Sequence, residues 1–156
     1  MTGAPGIQAF VARESVVGAG INAVLGILFF LGLFGVSGPV RLAGFGQFAF
    51  DFVVQGGASA FMTCLVSLVI ARRALAAGRV AVGPLPVVQP GWIAGLGHCL
   101  AWAAAGAGAG AIAGAALLAT GAATLGWGLA LSLKIVFGAV LGAFLSHTML
   151  RRLLLG

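Results

Sequence analysis

The sequence predicts an all-α fold, an integral membrane four-helix transmembrane bundle with Gly/Ala-rich packing seams. Three observations carry that prediction. Of the 156 residues, 62% are hydrophobic and only 6% are charged, with a mean hydropathy of +1.20. A soluble domain carries about 25% charged residues and could not cover its surface with so few. Four apolar stretches are each long enough to cross a hydrocarbon core of about 30 Å, which takes about 20 helical residues. The basic residues stand at the ends of those stretches rather than in a patch or stripe. The pI near 11.6 therefore reads as a topology signal and not as a nucleic-acid footprint. The expected partner is the lipid bilayer, with a second copy or a membrane-complex partner open, and no nucleic acid.

One domain covers residues 1–156. Residues 1–5 are expected to be disordered. Residues 7–14 are expected to form a short interfacial helix with Ile7, Phe10 and Val11 against lipid and Arg13 and Glu14 in water. No cleavable leader pattern is visible, so the first span is expected to act as an uncleaved anchor. That span covers 16–36. Asn22 is its one strongly polar residue, flanked by Gly18 and Gly26 at four-residue spacing. Glycines let a second helix approach closely, so Asn22 is placed to bond across a helix interface.

Residues 37–47 form a short loop broken at Gly38-Pro39, with Arg41 as its charge. Span two covers 48–71. Asp51, Gln55 and Ser59 follow one another at four-residue steps. Each step advances the helix by one turn plus about 40°, so the three share a polar stripe on one face. Arg72 and Arg73 stop the span. Pro84, Pro86 and Pro90 then stiffen the longest connection, which also holds Arg79.

Span three covers 91–118. Its core, 101–120, is an uncharged Gly/Ala sequence with Gly106, Gly110 and Gly114 spaced by four. Interior glycines cost about 1 kcal/mol each in a water-exposed helix, whereas between membrane helices they permit close backbone approach. The short uncharged turn at 120–125 predicts that spans three and four are antiparallel neighbours. Span four covers 126–150, and Lys134, Gly138, Gly142 and Ser146 form another four-residue row. The span-three seam is accordingly expected to meet Gly138 and Gly142, in preference to the same helix of another copy. No convincing sequence repeat appears. Spans two and four nevertheless both begin with a charge near the same end, as a duplicated pair would.

Orientation follows from the short-loop cations. Arg13, Arg72, Arg73, Arg79, Arg151 and Arg152 fall on one side and Arg41 on the other, joined by Lys134 if its side chain climbs to the interface. This asymmetry predicts a multi-pass protein of the inner membrane with amino and carboxyl termini in the cytoplasm.

The candidate chemistry is sparse. Asp51 lies about one turn, and Lys134 about two turns, from the same end of their spans, so the two can meet with Gln55 as a further partner. Ionisable residues inside a membrane default to functional hypotheses, here a substrate- or ion-binding site of Asp51, Gln55, Lys134 and Asn22, weighed against a structural ion pair or two separate interfacial side chains. His98 and His147 lie about 9 Å and about 5 Å from the opposite end of spans three and four. Haem or metal ligation by them lacks a third ligand, a second histidine pair or an attachment motif, so no cofactor is predicted. Cys64 and Cys99 read as buried thiols acting as small apolar residues. There is no phosphate-binding loop, no H-E-x-x-H and no G-x-S-x-G, and enzymatic activity is not predicted. The sharpest reading is a transporter or channel-like protein using the Asp/Gln/Lys cluster. The alternative is a non-catalytic accessory or assembly subunit of a larger membrane complex, and an enzyme using the histidines ranks third.

Overall fold

A computed structural model describes residues 3–78 and 91–155. It contains four helices, α1 (Gly3–Phe34), α2 (Phe48–Ala76), α3 (Trp92–Leu118) and α4 (Trp127–Leu155), and two short strands, β1 (Val40–Arg41) and β2 (Thr124–Leu125). Each helix is long and apolar enough to cross a membrane, with mean hydropathy between 1.5 and 2.3 over its most apolar window. The helices form because the apolar runs contain no proline after the first turn, and α1, α2 and α3 run out at glycines of positive φ, Gly35, Gly78 and Gly121. Gly35, at φ 72°, ends α1 by donating its N–H to the Leu31 carbonyl at 3.0 Å. The Pro-rich connection with Arg79 lies outside the described residues, as does the start of the segment expected to be disordered.

Helices α1, α2 and α4 are longer than the predicted spans at the end where both termini lie, here called the terminal end, while α3 keeps the predicted length to within a residue. The segment expected as a separate interfacial helix is continuous with α1. Its Ile7 and Val11 are buried against Ala71, Ala74, Leu150 and Leu154 instead of facing outward. Their four-residue spacing puts both on one face, and the ends of α2 and α4 extend far enough to cover that face.

Packing order differs from chain order. α3 lies along α2, α2 also lies beside α4, and α4 lies along α1. α1 barely touches α2. The expectation that α3 and α4 are close neighbours is therefore corrected, and so is the pairing of their glycine rows. A Cβ on Gly106, Gly110 or Gly114 would run into the backbone carbonyls of Gly56, Phe52 and Ala49 of α2. One on Gly138 or Gly142 would meet Asn22 and Gly18 of α1. Both glycine rows make the predicted close approaches, but with other partners. A short connection constrains where the next helix begins, while matching small residues decide what it packs against.

At the other end, here the hairpin end, β1 and β2 pair antiparallel, Val40 with Leu125 and Arg41 with Thr124. This bridge ties the α1–α2 connection to the α3–α4 connection. Beneath it Phe30 packs edge to face on Phe48 and Trp127, and Phe34 on Phe48, with ring centroids 5.7–6.1 Å apart, while Phe30 and Phe34 are tilted at 5.3 Å. The Trp127 indole N–H donates to the Gly35 carbonyl at 3.0 Å.

The two hairpins are arranged alike. The first helix of each packs on the second helix of the other, and the second helices lie side by side. Asp51 faces Lys134 near one end of that central pair, and Cys64 faces Met149 toward the other, so α2 and α4 run in the same direction. The duplicated-pair arrangement hinted at by the charges of spans two and four is present in the topology. The remaining surface is rich in exposed large apolar side chains, among them Ile21, Phe29, Met62, Ile112 and Phe144.

Candidate functional site

Lys134 is the most deeply buried charged residue among the described ones, at 1% exposure. α4 aims it between the helices because Lys134 belongs to the same four-residue row as Gly138 and Gly142, which α1 covers. Its Nζ lies 2.5 Å from Oδ2 of Asp51 on α2, whose side chain is 9% exposed. It also stands 4.6 Å from the centre of the Phe52 ring and 5.8 Å from that of Phe48. The ring faces and the carboxylate together compensate the ammonium. The meeting of Asp51 and Lys134 anticipated from depth along the spans is present, and Lys134 does not climb to the surface.

Gln55 lies one turn further along α2. Its amide nitrogen is wedged between Gly26 of α1 and Gly138 of α4, at 3.0 and 2.9 Å from where their Cβ atoms would stand. Both polar atoms of this amide are buried without a hydrogen-bond partner. Unpaired buried amides cost about 1–3 kcal/mol, so they are uncommon without a purpose. Asn22 is 5% exposed. Its side-chain N–H groups donate to the Gly18 carbonyl at 2.9 Å and across to Thr63 Oγ1 of α2 at 3.2 Å.

These four predicted residues lie around one feature, a groove of about 610 Å³ between α1 and α2 with α4 beneath. It exists because α1 packs on α4 along its length but meets α2 at only a few points. Behind it lies the polar row of α2, namely Asp51, Gln55, Ser59, Thr63 and Ser67, with Asn22, Lys134 and Ser146 beside it, most of them buried, so that the surface the groove exposes is almost wholly apolar. One lip is Val17, Ile21, Leu25, Phe29 and Leu33 of α1. The other is Val54, Ala58, Met62, Val66 and Ile70 of α2. Glu14 closes the terminal end, its carboxylate 2.9 Å from Arg13 Nη2.

Sequence reading stopped the α2 stripe at Ser59. The same four-residue spacing continues to Thr63 and Ser67, and that spacing was the available signal. Glu14 as a groove residue had no such signal, because its role depends on α1 running unbroken through position 14.

The histidines belong elsewhere. His98 is exposed, and its Nε2 accepts from the Trp102 indole N–H on the same helix at 3.0 Å. His147 is exposed on α4. No three potential ligands of the His, Cys, Asp or Glu type lie together among the described residues. Cys64 and Cys99 are free, buried and packed with Met149, and the Cys64 thiol donates to the Met149 sulfur at 3.7 Å.

Comparison with protein-family models, curated proteins and solved structures returned no match.

Proposed function

We propose that the protein crosses the inner membrane four times, with both termini in the cytoplasm, and works as a transporter or channel-like protein. In this reading Asp51, Lys134, Gln55 and Asn22 form the polar path between helices. The observation that carries it is the buried Lys134–Asp51 pair between the helices, at the wall of the α1–α2 groove and one turn from an amide with no partner. Ion pairs that only hold a bundle together are poor stabilisers, since the desolvation of each charge offsets most of the attraction. A pair retained in a row of buried polar side chains between the helices has a better use in handling a polar or charged solute. The orientation is supported by Arg13, Arg72, Arg73, Arg151 and Arg152 near the terminal end, against Arg41 at the hairpin end.

The test is flux in liposomes holding only this protein and a trapped pH-sensitive dye, under an imposed potassium diffusion potential. Protein-dependent proton movement is expected, and Asp51→Asn and Lys134→Gln are each expected to abolish it. Equal flux in both variants would remove these residues from the path.

One observation favours the second reading, an accessory subunit. Within the chain α3 packs mainly along α2, and its outward face, Ala101, Ala104, Ala105 and Gly108, is exposed and free of bulk. Such a face admits another helix closely. Co-purification of a partner protein in stoichiometric amount, together with normal function of Asp51→Asn, would establish that reading over transport.

A further inference from the structure

The glycine seam between α2 and α3 sets a register that brings the two cysteines together. Along it Gly114 meets Ala49, Gly110 meets Phe52, Gly106 meets Gly56 and Gly95 meets Leu68. In an antiparallel pair each step up one helix is a step down the other. Cys64 and Cys99 fall in the same register, between the Gly106–Gly56 and Gly95–Leu68 contacts, and so stand opposite each other. Both are buried, at 4% and 0% exposure, and α4 adds Met149 to the same cluster at 1%. Cys64 Sγ lies 3.7 Å from Met149 Sδ. The two thiols are within reach of each other and are not joined as a disulfide.

Three helices thus each bring one sulfur to one place. The chain has two cysteines and three methionines, so both cysteines and one methionine are gathered here. Filling space would need only apolar bulk, whereas sulfur adds a soft, polarisable donor. The donor set points to an ion. Thiolate and thioether ligands select monovalent copper among the first-row metals. Zinc takes four ligands, and no histidine or carboxylate joins the cysteines in a group of three among the described residues. Metal–thiolate bonds of about 2.3 Å put three planar ligands about 4 Å apart, near the 3.7 Å already present.

The charges balance too. Thiolate is the ligand form, so Cu⁺ and two thiols give a copper bis-thiolate of charge −1 and two protons. The protons leave to water at the terminal end, about 10 Å from Cys99 along α3. Arg152, on the turn of α4 after Met149, lies 5.5 Å from the centre of the Trp102 ring, and Trp102 packs on the cluster. Its positive charge offsets that of the loaded site.

We propose that Cys64, Cys99 and Met149 form a binding site for one Cu(I) ion where α2, α3 and α4 meet. The site is separate from the Asp51–Lys134 pair and does not depend on the transport reading.

The test is titration of the full chain in detergent, reduced and anaerobic, with Cu(I) held by a chromophoric chelator of known affinity. One ion per chain is expected to leave the chelator, with a thiolate-to-copper band in the near ultraviolet and only sulfur in the first shell by X-ray absorption. Cys64→Ala and Cys99→Ala should each weaken binding about a hundredfold. Met149→Leu, which keeps the core filled, should weaken it about tenfold. Met62→Leu, on the α1–α2 groove, should leave the affinity unchanged. Thermal unfolding of each copper-free variant identifies any that fails to fold, and the volume-conserving Met149→Leu then decides. Nitrogen or oxygen in place of sulfur around the ion, or parental affinity in Met149→Leu or in Cys64→Ala/Cys99→Ala, would overturn the assignment. Proton flux is read separately, so that result would leave the transport reading standing.

Discussion

At the residue scale the protein turns on two charges that have no bulk water beside them. Lys134 is 1% exposed and Asp51 7%, so each relies on the other. Removing one partner leaves the second uncompensated, at a cost of about 3–5 kcal/mol, whereas replacing both with apolar residues of similar volume is neutral or stabilising. Asp51→Asn and Lys134→Gln should therefore each lower stability by about 3 kcal/mol in denaturant unfolding of the detergent-solubilised protein. Asp51→Leu/Lys134→Met should return to within about 1 kcal/mol of the parent. Additive losses in the double variant would show that the charges do not compensate each other. The encounter of these residues was legible from their depth along two spans. The unpaired amide of Gln55 was not, because it depends on which glycines happen to lie against it in space.

At the element scale the helices are joined through backbone contacts that small residues permit. Gly110 faces the Phe52 carbonyl, while Gly108 on the same helix faces open space. Gly110→Leu should push α3 from α2 and cost about 1–3 kcal/mol or more, as overpacking does. Gly108→Leu should be neutral or slightly stabilising, since leucine is the better helix former. Matched thermal unfolding of the two variants checks this, and equal effects would contradict the seam. Every small-residue row named from the sequence is used in packing. The pairing between rows was not legible, because four-residue glycine spacing on α3 is compatible with any helix that offers small residues in return. Gly56 and Ala60 of α2 do so for α3, while Gly138 and Gly142 of α4 are taken by Gly18 and Asn22 of α1. The two short strands were invisible for a simpler reason. Two residues each carry no periodicity, and their pairing follows from bringing two connections together.

At the scale of the whole molecule, hairpins exchange partners, and the space left between α1 and α2 becomes the groove. The order α1–α4–α2–α3 can be read by cross-linking in a Cys64→Ala/Cys99→Ala background. A Cβ on Gly18 lies 3.2 Å from the Ser146 Cβ, close to the about 3.5–4.5 Å of a disulfide. Gly18→Cys/Ser146→Cys should cross-link on mild oxidation, and Gly110→Cys/Gly138→Cys should not. The reverse result would restore the packing that chain order alone suggests. Four apolar helices were legible from composition and span length, because those depend only on local sequence. The groove was not, since it arises where α1 and α2 meet at only a few points.

The Asp51–Lys134 pair is proposed to serve transport and not only assembly. The double variant Asp51→Leu/Lys134→Met separates the two roles, because it removes the charges while leaving the packing filled. Reconstituted in liposomes with the trapped pH dye, it should retain the parent's unfolding profile and lose proton flux. Full flux from this stably folded, charge-free protein would contradict the account.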